Sequence, residues 1–186
     1  MNTRKIAGGG LMLAFGLVLP QIFHLSGIPQ SGSIFLPMHI PVIMGGMLWG
    51  PVMGILLGVL CPVFSALLTG MPAMARLPYM VCELAVYGLS AGLFYQTFGL
   101  CRKRGGIYLS LLIAMCAGRL AYGISLFTTL HILGVKNGGV MTAVTATTTG
   151  IPGILLQLIF IPVLVYSVQI GGILREYSGT GSNHNE

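Results

Sequence analysis

Apolar residues along this chain gather into long blocks, at about 6–23, 34–69, 78–100, 107–131 and 150–174. A helix that crosses a bilayer needs roughly 20 residues at 1.5 Å each. Four of the blocks suit one crossing apiece, but 34–69 is too long for one helix and just long enough for two. Trp49-Gly50-Pro51 lies near its middle. Proline cannot donate to an existing helix and is well placed in the first turn of a new one. The pattern therefore predicts helices over 34–50 and 51–69, and six crossings in all.

Charge tests that division. With six spans and an inside N-terminus, the inside loops hold Arg4, Lys5, Arg102, Lys103, Arg104 and Arg175, and the outside loops hold only Arg76 and Lys136. Six against two follows the positive-inside rule. A single span over 34–69 switches every later loop to the other side and makes the count four against four. The expectation is thus an all-α integral membrane protein of six transmembrane helices with cytoplasmic N- and C-termini. One domain covers residues 1–175, and the polar stretch 176–186 reads as a disordered cytoplasmic tail. Met1 to Lys5 before an apolar run looks superficially like a secretory signal. It lacks an obvious A-x-A site and more spans follow, so it reads as an uncleaved first helix.

The connections differ by side. Trp49-Gly50-Pro51 and Cys101 to Gly106 are short inside turns, whereas about 24–33, 70–77 and 132–149 are longer outside segments. Long loops on one side can fold over a cavity as a lid. Small residues mark helix contacts, since in lipid helices associate by close van der Waals approach. Gly46, Gly50, Gly54 and Gly58 recur every four residues, a series that reads as packing within the chain. Ala7, Gly10 and Ala14 share one face of the first helix, which suits either internal packing or a partner subunit.

Composition narrows the function. Of 186 residues 55% are hydrophobic and 6% charged, where a soluble domain carries about 25% charged residues. Lipid is the solvent that accommodates such a surface. The net charge of +6 does not indicate nucleic acid, because the basic residues lie between apolar blocks and not along one basic and aromatic face. Cys61, Cys82, Cys101 and Cys116 form no CxxC pair, so neither a zinc nor a redox site is expected and no cofactor is implied. There is no P-loop and no HExxH. The chain has no Asp, and its acids are Glu83, Glu176 and Glu186, which leaves no carboxylate pair for acid–base work.

Gly88-Leu89-Ser90-Ala91-Gly92 fits the G-x-S-x-G of a hydrolase elbow. That elbow needs a strand, a tight turn and a helix, whereas this one lies within a membrane helix. An intramembrane serine protease takes its base from a histidine on the sixth helix, and 150–174 contains none; His131 is only a loose substitute. Ser90 reads as helix packing, and the chain as no enzyme.

Ionisable groups within the spans carry more information, since charge at the bilayer centre costs roughly 2.5–3.5 kcal/mol on insertion scales. Glu83 lies about five residues into the fourth helix and Arg119 about twelve from the outer end of the fifth. Their depths then differ by roughly 10 Å, so a direct pair requires Arg119 to reach outward. They either fasten two helices or line an outward-facing cavity, Arg119 at its floor and Glu83 on its wall. His39, bracketed by Pro37 and Pro41, either bonds a freed carbonyl or contacts ligand. Gln157 and Asn137 are neutral polar candidates for ligand contact, and Arg76 reads as a solvated loop charge.

The stretch from Phe35 to Leu60, with Ile40-Pro41, Gly45-Gly46, Gly50-Pro51 and Gly54-xxx-Gly58 in order, resembles the substrate-binding S component of energy-coupling factor (ECF) vitamin transporters. Gly10-xxx-Ala14 looks like that family's small-residue motif on the first helix, with glycine where alanine is favoured. Ala117-Gly118-Arg119 and Gly150-Ile-Pro-Gly153 through Gln157 are also similar, and the resemblance spans roughly residues 5–170. It implies a prokaryotic plasma-membrane subunit that binds a vitamin-like micronutrient from outside, in a cavity lined by its later helices. It implies as partners a transmembrane scaffold subunit, contacted through Ala7, Gly10 and Ala14, and two ATPases that supply the energy. Pantothenate, a pyridoxine-type vitamer, riboflavin, a corrinoid and a queuosine-type base all remain open. A self-contained secondary carrier or channel is the alternative, but the matching halves common in such carriers are not evident. An intramembrane serine hydrolase resting on Ser90 comes third.

Overall fold

The computed structural model describes residues 3–25, 27, 31–103, 105–129 and 143–170, and among these there is no strand. The helices are α1 (Thr3–Leu25), α2 (Ser31–Phe35), α3 (His39–Trp49), α4 (Pro51–Thr69), α5 (Leu77–Gly92), α6 (Gly106–Phe127), α7 (Ala143–Thr149) and α8 (Ile151–Ile170). Among the described residues six stretches are long and apolar enough to cross a membrane, with α2 and α3 together forming one, Ser31–Trp49. The six predicted spans are therefore present.

Three boundaries differ from expectation. The second span begins at Ser31 rather than near 34, and it is broken at Leu36-Pro37-Met38. Pro37 and Pro41 explain the break, because each removes a helix N–H, and Leu36 takes a positive φ of 50°. The fourth span leaves α-geometry at Gly92 and continues as a π turn, Leu93–Thr97. The segment 143–149, expected as loop, is the short helix α7. The tail 176–186 lies outside the described residues.

The turn between α3 and α4 forms as its residues dictate. Gly50 adopts φ 99°, its N–H donates to Gly46 O at 2.9 Å, and Pro51 opens α4. A side chain at 50 would be strained in that conformation. Gln96, on the π turn, donates from Nε2 to Met47 O at 2.8 Å and so ties the fourth span to this turn.

The broken second span occupies the centre of the bundle. Its window is 78% buried, against 17% for α1 and 28% for α8. Outward faces carry Leu11, Phe15 and Val18 on α1, Leu67 and Leu68 on α4, Leu120 and Ile124 on α6, and Ile159 and Val163 on α8, all exposed. Such a contiguous apolar surface belongs against lipid.

Glycines set the close contacts inside. Gly54 of α4 lies directly on Gly88 of α5, where a Cβ on either would meet the other's backbone. Gly46 abuts the Gly88 carbonyl, Gly58 abuts Leu84 and Ala85, and Gly92 abuts Pro51. The expected packing role of Gly46, Gly54 and Gly58 holds, while Gly50 serves the turn. The G-x-S-x-G match is likewise a packing motif. Gly88 and Gly92 supply the approach, and the Ser90 hydroxyl donates to Val86 O of its own helix at 2.6 Å.

On α1 the inward face is Gly9, Met12 and Gly16, with Gly9 against Met53 and Gly16 against Cys61. Gly8 lies on the Trp49 indole. Ala7, Gly10 and Ala14 point away from the bundle and are exposed; a Cβ at Gly10 would meet nothing within 4 Å.

Candidate functional site

A cavity of about 470 Å³ opens at the end of the bundle opposite the Trp49-Gly50-Pro51 turn. This is the end that the loop charges assign to the outside. Its size falls within the roughly 300–1,000 Å³ of small-molecule sites. Three elements shape it: the C-terminal end of α1 with His24, the broken segment Leu36-Pro37-Met38-His39, and the facing parts of α5 and α6 with Glu83 and Arg119. The 70–77 connection contributes Met71, Pro72, Ala73 and Arg76, and α7 contributes Ala146.

The break in the second span belongs to this wall. Pro41 has no N–H to offer the Pro37 carbonyl four residues earlier, and both Leu36 and Pro37 line the cavity. Exposed backbone of this kind is tolerated at membrane depth where it faces a cavity or is buried in protein. The segment is held from behind by α8. Gly153 lies against the Ile34 and Phe35 carbonyls, and Gln157 donates from Nε2 to Leu36 O at 3.5 Å.

Glu83, Arg119 and His39 meet at the cavity. Arg119 Nη1 is 2.9 Å from Glu83 Oε1, and His39 Nε2 is 3.7 Å from the same oxygen. The roughly 10 Å depth difference expected between Glu83 and Arg119 is not found. Helix α6 ends at Phe127, so Arg119 stands eight residues from its end and Glu83 six residues from the start of α5. Two residues amount to about 3 Å of depth, which the arginine side chain spans. The pair thus both fastens α5 to α6 and faces the cavity, so the two alternatives drawn from the sequence are not exclusive.

His39 is 1% exposed and stands edge-on to Tyr87, ring centroids 5.0 Å apart. Tyr87 in turn covers Gly118 beside Arg119. The imidazole does not bond a freed carbonyl: neither ring nitrogen has a hydrogen-bond partner. Arg119 Nε and Nη2 are also buried without an acceptor, and Glu83 Oε1 has an ion-pair neighbour but no donor aligned on it. A buried donor or acceptor left unmade costs about 1–3 kcal/mol, and more when charged. These groups are concentrated on three residues that line one cavity, and buried polar groups are otherwise hydrogen-bonded as a rule.

The other sequence candidates fall elsewhere. Gln157 is 1% exposed and does not line the cavity; its bond to Leu36 O makes it a support for the broken segment. Asn137 lies outside the described residues. Arg76, expected as a solvated charge, is half-buried, lines the cavity and donates from Nη1 to Ser33 Oγ at 3.0 Å. His24, Ser65, Met38, Met80 and Tyr122 line the cavity and were not singled out in the sequence. For Arg76 a signal existed, since it is one of only two basic residues in loops on the low-charge side. For Met38 and Met80 none did, because an apolar residue in an apolar block carries no mark of the face it occupies. The lining also departs from the later helices that the resemblance implied: α1, α2, α3 and α4 contribute, and α8 does not. Among the described residues no group of three His, Cys, Asp or Glu side chains could hold a metal ion.

The described residues thus form six helices long and apolar enough to cross a membrane, with a cavity lined by Glu83, Arg119 and His39 among them. The chain matches the family model described as ECF transporter, substrate-specific component, over residues 4–165. It belongs to that family, a family of membrane subunits that bind substrate for transport and are not enzymes. The curated proteins searched gave no match, and neither did the solved structures.

Proposed function

We propose that this chain binds a small vitamin-like micronutrient in the cavity floored by Glu83, Arg119 and His39, and delivers it inward with an ATP-driven partner module. The observation that carries the substrate site is a cavity of fitting size lined by Glu83, Arg119 and His39, with buried, unpartnered polar atoms on Arg119 and His39. In this proposal the cavity end faces outside and both termini lie in the cytoplasm of a prokaryotic cell, consistent with six basic residues against two in the loops.

The partners are a transmembrane scaffold subunit and two ATPases. The chain carries no P-loop of its own, so the energy enters through them. Scaffold contact falls on Ala7, Gly10 and Ala14, whose face is exposed and free of internal packing. Small residues there permit close approach of a partner helix in lipid.

Ligand binding is tested by thermal shift of the purified protein against a vitamin panel. Arg119→Ala is expected to remove the response while the protein still elutes as a single species; unchanged affinity takes Arg119 out of the site. Docking is tested by co-expression with a scaffold and ATPases. Gly10→Leu should reduce co-purification and spare binding, and an intact complex would assign that face to lipid.

A further inference from the structure

We propose that the ligand presents a carboxylate to the guanidinium of Arg119, on the edge that Glu83 leaves unused. The proposal rests on the cavity being the substrate site, and it names the chemistry that site selects.

The supply of donors and acceptors decides the sign. Glu83 Oε1 already has two nitrogen neighbours, Arg119 Nη1 at 2.9 Å and His39 Nε2 at 3.7 Å. Arg119 has spent only Nη1, and both Nε and Nη2 lack an acceptor. The donors with no acceptor at hand are therefore Nε and Nη2 of Arg119, whereas Glu83 Oε1, though no donor is aligned on it, already has two nitrogens beside it and has less call on an amine from the ligand. The formal charges around the cavity agree: Arg76 and Arg119 against Glu83 leave one positive charge. A single carboxylate neutralises it, whereas a phosphate monoester brings about −1.5 to −2.

Geometry names the group. Nε and Nη2 form the side edge of the guanidinium, two parallel N–H donors that match the two oxygens of a carboxylate. That edge lies beside Gly150, where a Cβ would stand 2.9 Å from Nη2. The edge is sealed from solvent in this structure, so the guanidinium turns away from Gly150 as the anion enters. The missing side chain at 150 is what lets the edge rest there in the unliganded protein, since a Cβ would crowd Nη2. As Arg119 turns, Glu83 keeps a partner in His39, whose Nε2 needs less than 1 Å of approach to reach ordinary hydrogen-bond range. His39 is thus the reserve partner that keeps Glu83 from being stranded, which accounts for a buried imidazole with no bond of its own.

The test is a thermal-shift and titration panel on the full-length protein in detergent. It pairs acids with uncharged counterparts: nicotinate with nicotinamide, pantothenate with panthenol, biotin with biotinamide, and lipoate with lipoamide. Thiamine, riboflavin and pyridoxal 5′-phosphate represent cationic, neutral and phosphorylated ligands. At least one acid is expected to bind more tightly than its counterpart by tenfold or more. Arg119→Lys, which keeps the charge for Glu83 but loses the fork, should cost that acid roughly 10- to 100-fold. Counterparts that bind as well as their acids, or a response confined to the cationic, neutral or phosphorylated compounds, overturn the carboxylate assignment while the binding function stands. Silence from every class overturns both.

Discussion

The Glu83–Arg119 pair can be weighed by breaking it from one side. Their side chains are 6% and 14% exposed, so solvent screens the pair only slightly. Glu83→Gln leaves the Arg119 charge buried with no carboxylate and leaves His39 with no acidic neighbour. Removing one partner of a buried pair costs about 3–5 kcal/mol. For a chain of this size each kcal/mol moves the thermal midpoint by roughly 2–4 °C, so a fall of roughly 6–20 °C is expected. The intrinsic fluorescence of Trp49 during thermal unfolding reads it, since that indole is the single tryptophan and lies on Gly8 of α1. The double variant Glu83→Gln, Arg119→Met removes both charges and should recover much of the loss, because what costs most is the stranded charge and not the missing contact. If Glu83→Gln melts within a degree of the parent, or if the double variant melts no higher than Glu83→Gln alone, the groups do not form a buried pair and the floor of the cavity has been misread.

Four further outcomes follow from the packing. Gly54→Val and Gly88→Val each place a branched side chain into the facing helix backbone, and each should cost at least about 1–3 kcal/mol, read as lost monodisperse yield or a lowered midpoint. Gly9→Leu should be similarly damaging because Gly9 packs on Met53, whereas Gly10→Leu should leave the isolated protein within about 0.5 kcal/mol of the parent. Ser90→Ala should leave ligand binding unchanged and a serine-directed phosphonate should not label the parent, since the hydroxyl serves Val86 O; labelling at Ser90 would reopen the enzyme reading. Gln157→Leu loses the bond to Leu36 O, about 1 kcal/mol. It should weaken ligand binding without Gln157 touching ligand, an effect that scanning calorimetry and titration separate.

The helices, their number and the inner turn were legible in the sequence, because they depend on local quantities. Length and apolarity decide whether a stretch crosses a bilayer. Pro51 after Gly50 decides where one span ends and the next begins. The glycine series announced close contacts for the same reason, since only a missing Cβ permits them. The break at Leu36-Pro37-Met38 was half legible. Two prolines marked freed carbonyls, but contacts from α8, through Gly153 and Gln157, help fix where that backbone points. The burial of His39 without a hydrogen bond, the place of Arg76 on the cavity wall and the meeting of Glu83 with Arg119 were decided by tertiary structure alone. Each depends on the relative depth and rotation of helices far apart in the chain, and a periodicity read along one helix contains neither. Thus sequence determined that a charge is held inside the membrane, and packing determined which charge it faces and which edge of the guanidinium that pairing leaves unused.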